Sequence, residues 1–143
     1  MRKFLLHPYL VFGLPLLLFL TDAFLYYVLK IGNSDLISGL YHTLGGLSMA
    51  MVFFYFFERN PELYSFKNKL LVNIVLAVSF AMLIGVLWEF MEFSIDYIFV
   101  EYAKLHPAQP SLADTMADLA CDLIGATLFS LAYLRFSSSK ENS

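Results

Sequence analysis

Four apolar runs, each long enough to cross a lipid bilayer as a helix, limit this chain more than any other feature. A bilayer core of about 30 Å needs about 20 apolar residues in a helix. The runs cover about residues 9–29, 36–57, 70–95 and 114–136. Hydrophobic residues make up 59% of the sequence and charged residues only 15%, unlike the composition of a soluble domain. We therefore expect an integral membrane protein.

The connections between the runs are short, which favours antiparallel packing of successive helices. They read KIGNSD, ERNPELYSFKNK and about VEYAKLHPAQPS, and no segment has the alternation of a strand. We predict an all-α, up-down-up-down four-helix bundle in a single transmembrane domain, residues 1–143, with a flexible tail at 137–143. The first run begins like a signal peptide, but it continues through FLYYVL without an A-x-A site, so we favour a retained helix.

Lysine and arginine indicate the orientation of these helices. With four spans, both termini and the middle connection share one side of the membrane. That side carries seven basic residues: Arg2, Lys3, Arg59, Lys67, Lys69, Arg135 and Lys140. The other side carries only Lys30 and Lys104. Because basic residues concentrate in cytoplasmic loops, we expect both termini in the cytoplasm (N-in/C-in) and the first and third connections on the outward side.

The ionisable side chains inside the runs gather towards the outward side. At ~1.5 Å per residue they lie roughly 20 to 30 Å from the cytoplasmic ends of the helices. The set is Asp22, His42, Glu89, Glu92, Asp114, Asp118 and Asp122, with Asp96 slightly farther out. An ionisable residue at bilayer depth costs roughly 2.5–3.5 kcal/mol, so such groups must face the bundle interior and find partners.

Helical periodicity places these acids on two shared faces. Glu89, Glu92 and Asp96 fall within about 60° of arc. Asp114, Asp118 and Asp122 follow one another at intervals of four residues and share another face. Gly85 precedes Glu89 by one turn on the same face, which leaves space there. The small residues Ala117, Cys121 and Gly125 lie beside the second face and favour close approach of another helix.

No lysine or arginine accompanies the acids, which leaves three ways to neutralise them: protonation, a bound cation, or an outward water-filled cavity. Carboxylates suit Mg, Ca or Mn, and one imidazole admits Zn or Fe. The predicted ligands of a divalent metal are Glu89, Glu92, Asp114, Asp118, Asp122 and His42, with Asp22 and Asp96 as secondary candidates. Asp114 also fits a capping box with Ser111, an equally good interpretation. We interpret His106 as a solvated loop residue.

One motif pair resembles a known family. WEFME at 88–92 is followed by DTMADL at 114–119 and then by Gly125 and Ala126, and His42 lies upstream beside glycines. This pattern, over about residues 36–130, resembles the YjdF-like bacterial inner-membrane proteins, whose function is largely unassigned. It is more weakly similar to VanZ-like proteins, which are associated with the cell envelope. The chain departs from the first family in being shorter and in having Gly39-Leu40-Tyr41 where an Asp-Arg pair is usual.

The resemblance implies a bacterial inner-membrane location and a shared site at Glu89, Glu92, Asp114, Asp118 and His42, but it supplies no reaction. Three functions stay open: a metal-dependent site that binds or acts on an envelope lipid headgroup, a cation or proton conduit, and a structural or partner-binding protein whose protonated acids join helices. No serine or cysteine nucleophile is evident, and whether the protein is an enzyme stays open. The expected partners are membrane lipids, with a homo-oligomer left open, and the lack of a basic patch argues against nucleic acid.

Overall fold

The chain forms four long helices and no strand within the residues that the computed structural model describes, which are 5–29, 35–60, 62, 70–103 and 107–138. They are α1 (Pro8–Ala23), α2 (Asp35–Arg59), α3 (Leu70–Ala103) and α4 (Leu112–Ser138). A π-helical turn, Phe24–Val28, continues α1. Each of the four is long and apolar enough to cross a membrane. The predicted all-α membrane bundle is therefore confirmed.

The largest difference from the predicted bounds is at the end of α3. We expected this helix to end near residue 95, but it continues to Ala103. Residues 96–103 contain neither glycine nor proline, and the first breaker after them is Pro107, so nothing local ends the helix earlier. Its 34 residues span about 51 Å, more than a bilayer core of about 30 Å. At the other end of the chain, α4 extends to Ser138, and residues 139–143 of the predicted tail lie outside the described residues.

Glycines bring α2 and α4 into backbone contact, and these two helices share the most extensive interface in the bundle. A Cβ at Gly46 would overlap the main chain of Asp122, and a Cβ at Gly125 would overlap the main chain of Thr43. Gly125 belongs to the small-residue stripe predicted on α4. The glycines therefore set the α2–α4 spacing, because no side chain fits between the two backbones.

Contacts along the helices define their relative directions. Ser38 bonds Asp118, and Phe54 packs on Tyr133, so α2 and α4 run in the same direction. The last part of α3 lies beside the segment that leads into α4, so α3 runs opposite to α4. The first helix packs mainly on α2. A three-helix core of α2, α3 and α4 thus carries α1 on one side.

The apolar core fills one half of the bundle. This apolar half comprises residues 50–57 of α2, 77–81 of α3 and 126–133 of α4. Its largest side chains include Phe54, Phe129 and Tyr133, whose rings pack together, and the Tyr133 hydroxyl donates a hydrogen bond to Glu58. The opposite half, which we call the polar half, contains His42 and the buried carboxylates. The division between the two halves positions the candidate site.

Candidate functional site

Five of the eight predicted side chains converge in the polar half. Each is between 4% and 9% exposed, and together they come from three helices. They are His42 from α2, Glu89 and Glu92 from α3, and Asp118 and Asp122 from α4. We call this group the His42 cluster. Its members lie far apart in sequence, so the packing of α2, α3 and α4 assembles it.

The His42 ring lies between carboxylates on both of its nitrogen atoms. Its Nδ1 is 3.2 Å from Asp122 Oδ2. Its Nε2 is 3.6 Å from Asp118 Oδ2 and 3.8 Å from Glu89 Oε1. The Ser38 hydroxyl, one turn earlier on α2, lies 2.9 and 3.0 Å from the two oxygens of Asp118 and donates to that carboxylate. Asp122 thus orients the ring so that Nε2 faces Glu89 and Asp118.

Glu89 has one carboxylate oxygen that accepts no hydrogen bond. The Gln109 side-chain amide donates to Glu89 Oε2 at 2.6 Å and to the Glu89 backbone carbonyl at 3.0 Å. The other oxygen, Oε1, is buried and accepts none. It faces the Nε2 atom of His42. A buried acceptor without a donor is rare in folded proteins and requires an explanation.

The second glutamate of the WEFME motif joins the same group. Trp88 Nε1 donates a hydrogen bond of 2.9 Å to Glu92 Oε1. One ligand atom from each of His42, Glu89 and Glu92 lies within 4.8 Å of the others. Two atoms bound to one ion at ~2.1 Å each are at most ~4.2 Å apart. The 3.8 Å between His42 and Glu89 meets that limit without adjustment.

Gly85 explains how Asp122 reaches the cluster. The sequence predicts space on this face of α3, and the Asp122 carboxylate occupies it. A Cβ at Gly85 would overlap Asp122 Oδ2, the same oxygen that contacts His42. The absence of a side chain at Gly85 is therefore required for the Asp122–His42 contact.

The remaining predicted site residues have other positions. Asp114 is half-buried in the first turn of α4, where its backbone N–H donates a hydrogen bond of 3.2 Å to the Ser111 hydroxyl oxygen, in keeping with the predicted capping role. Asp96 accepts the backbone N–H groups of Ala108 and Gln109 at 2.8 and 2.7 Å. It holds the α3–α4 connection and does not extend the His42 cluster. His106 lies outside the described residues.

A cavity of about 210 Å³ lies beside the cluster, between α1, α2 and α3. Its polar lining includes Asp22, Ser38, His42, Glu92 and Asp122. The other walls are largely apolar and include Pro15, Leu18 and Phe19 of α1. Asp22, a secondary candidate in the sequence, is thus half-buried in the wall of this cavity.

Two residues of the site carry no strong signal in the sequence. Ser38 precedes His42 by four residues and so lies on the same helix face, which is a weak indication that it joins the site. Gln109 is 20 residues from Glu89 and lies in a connection. Only the path of that connection brings its side chain onto Glu89, and helical periodicity does not describe such a path.

Four membrane-spanning helices around a buried histidine–carboxylate cluster define an integral membrane protein with a polar site inside its bundle. The chain belongs to the DUF2238 family, described as predicted membrane proteins, whose family model matches residues 6–139. No curated protein and no solved structure matches it. The family description names neither YjdF-like nor VanZ-like proteins, so these two resemblances stay predictions.

Proposed function

We propose that this protein binds a divalent metal ion through His42, Glu89 and Glu92, and that the metal-bearing site binds the headgroup of an envelope lipid. The observation that carries the proposal is Glu89 Oε1, which is buried, accepts no hydrogen bond and lies 3.8 Å from His42 Nε2. A buried carboxylate oxygen without a donor costs free energy. A cation at this position removes that cost.

The side chains that would coordinate the ion support a divalent metal. A metal-binding histidine usually donates its second ring N–H to a carboxylate, and Asp122 is in place to accept it from His42 Nδ1. The Nε2 atom then faces the carboxylates of Glu89 and Asp118. One imidazole with several carboxylates is compatible with Zn, Fe or Mn, while Mg and Ca take oxygen ligands alone. A bound divalent ion supplies a Lewis acid for a phosphate oxygen.

The proposed location follows from the basic residues. Both termini lie in the cytoplasm of a bacterium with the chain in the inner membrane, as the bias of lysine and arginine and the YjdF-like resemblance indicate. In that orientation the polar half faces outward, so the site is at the depth of the outer leaflet. A lipid headgroup in that leaflet is then the nearest phosphate-bearing ligand.

Metal analysis of the purified protein tests the proposal. We expect about one tightly held divalent ion per chain and its loss in Glu89→Gln and His42→Gln. The matched control is Glu58→Gln, which alters a carboxylate of the apolar half that accepts a bond from Tyr133. Wild-type protein that stays metal-free after incubation with Zn, Fe and Mn would sink the proposal.

A second candidate is a structural or partner-binding protein, and two bonds favour it. Ser38 joins α2 to Asp118 of α4, and His42 joins α2 to Asp122. In that case the acids serve as protonated interhelical bonds, and neutral Asn or Gln replacements preserve function. A cation conduit has less support, because Met51, Phe54 and Ala126 fill the bundle beyond the site.

A further inference from the structure

The cavity beside the His42 cluster shares two side chains with it. His42 and Glu92 belong both to the cavity wall and to the metal-capable group. A molecule in the cavity therefore reaches the cluster directly. The route by which a molecule can enter the cavity indicates whether the ligand comes from water or from the bilayer.

The α3–α4 connection covers the cluster at one end. Asp96 holds the backbone amides of Ala108 and Gln109. Gln109 in turn holds the Glu89 carboxylate and its backbone carbonyl. This strap, residues 107–111 held by Asp96, contacts Glu89 through the Gln109 side chain.

The cavity is less tightly closed between α1 and α3 than at the end that the α3–α4 connection covers. The first helix packs mainly on α2, and α1 and α3 are not among the extensively packed pairs. Phe19 and Trp88 bridge these two helices by an edge-to-face contact of 5.9 Å between ring centroids. Leu18 and Phe19 line the cavity next to this contact. The gap between α1 and α3 is therefore the route that we assign to a ligand from the bilayer.

The charges on the cavity wall restrict the ligand further. Among the described residues that line it, none is lysine or arginine, whereas Asp22, Glu92 and Asp122 are acidic. A purely anionic headgroup meets repulsion from Asp22 even when a metal ion holds its phosphate. A headgroup that also carries an amine pairs with Asp22, and Trp88 and Phe19 offer aromatic faces to an ammonium group.

We infer that the cavity binds the headgroup of an amine-bearing phospholipid, which reaches it from the bilayer between α1 and α3. This inference rests on the proposed metal site for its phosphate contact. The cavity of about 210 Å³ is far larger than the space that a single water molecule needs. In this proposal the headgroup enters the cavity, and the acyl chains stay in the bilayer.

Native mass spectrometry of the purified protein with added phosphatidylethanolamine or phosphatidylglycerol tests the inference, with metal content measured on the same samples. We expect a preference for phosphatidylethanolamine and its loss, about tenfold, in Asp22→Asn. Leu18→Trp, which fills the cavity, is expected to reduce lipid binding. Leu17→Trp is its control, because Leu17 is 57% exposed on the same helix and does not line the cavity.

Each outcome decides between the two proposals. Metal retained in wild type and in all three α1 variants supports the inference when Asp22→Asn loses the preference for phosphatidylethanolamine and Leu18→Trp, but not Leu17→Trp, lowers lipid binding. Metal retained, with Asp22→Asn and Leu18→Trp binding lipid as the wild type does, overturns the inference alone. A metal-free wild type overturns the proposed function. Displacement of bound lipid by millimolar inorganic phosphate shows that a water-soluble phosphate is the ligand and also overturns the inference.

Discussion

Gly85 of α3 lies against the carboxylate of Asp122 in α4, and that same carboxylate contacts His42 Nδ1 at 3.2 Å. A methyl group at Gly85 must displace the carboxylate. We expect Gly85→Ala to lower the free energy of unfolding by about 1–3 kcal/mol, because it overpacks a filled site. Thermal unfolding in detergent measures the change. Gly13→Ala is the control, since a Cβ there meets nothing within 4 Å. Equal stability of the two variants would show that the bundle adapts freely at Gly85.

The α2–α4 contact predicts a graded response to alanine. Gly46→Ala and Gly125→Ala each place a Cβ into the main chain of the other helix, so each is expected to cost about 3 kcal/mol. Gly39→Ala is expected to cost less, because its Cβ meets only the Cys121 side chain, at 3.3 Å. Unfolding temperatures of the three variants give the order. If Gly39→Ala proves the most destabilising, the close approach of the two backbones is not the dominant constraint.

Asp122 is not one of the three proposed metal ligands, but we expect it to strengthen metal binding because it orients His42. Asp122→Asn keeps the size of the side chain but weakens its hold on His42 Nδ1. Loss of such an outer partner typically lowers metal affinity by about 10–100-fold. Titration of metal-stripped protein measures the affinity, and Asp114→Asn in the first turn of α4 is the control. An unchanged affinity in Asp122→Asn would remove Asp122 from the orienting role.

We expect the Asp96 side chain to protect two backbone amides of the α3–α4 connection from hydrogen exchange. Ala108 and Gln109 donate their backbone N–H groups to Asp96 at 2.8 and 2.7 Å. We expect Asp96→Ala to speed hydrogen exchange at both amides, because each loses its acceptor. Asp96→Asn keeps one side-chain oxygen and is expected to give an intermediate rate. Exchange that is equally slow in all three proteins would mean that the connection is held by other contacts.

Trp88 is the single tryptophan of the chain and donates to Glu92 Oε1 at 2.9 Å. Its fluorescence therefore reports on Glu92. We expect metal addition to change the emission of the wild type and to leave Glu92→Gln nearly unchanged, since that variant lacks the charged ligand. Glu58→Gln in the apolar half is the control and is expected to respond like the wild type. A response from Glu92→Gln equal to the wild type would place the metal away from Trp88.

The fold was predictable because the chemistry of the bilayer dominates it. Length and hydropathy of the runs define four helices, and the positions of the acids along those runs bring most of them to one half of the bundle. The end of α3 was mispredicted, because hydropathy marks where a helix leaves the bilayer core and not where it ends. Residues 96–103, beyond the predicted end, are helical as well.

The sequence indicates which residues form the site better than it indicates how they are arranged. Helical phase places Glu89 beside Glu92 and Asp118 beside Asp122. It does not show that Gly85 admits Asp122, because that depends on the distance between two helices. It also does not show Gln109 on Glu89, since a connection has no periodicity. Tertiary packing decides which acids join the His42 cluster, which one caps α4 (Asp114) and which one holds the α3–α4 connection (Asp96).

The length of α3 links the site to the membrane around it. Glu89 lies about 29 Å along α3 from Leu70, close to the full depth of a bilayer core when Leu70 sits at one boundary. Membranes differ in thickness by a few ångströms, and long helices respond by tilting. Hydrophobic mismatch would therefore change the depth of Glu89 and Glu92 in the membrane. With Leu70 at one boundary, a thinner bilayer would place both carboxylates nearer the level of the headgroups, and a thicker one would place them deeper within the hydrocarbon core.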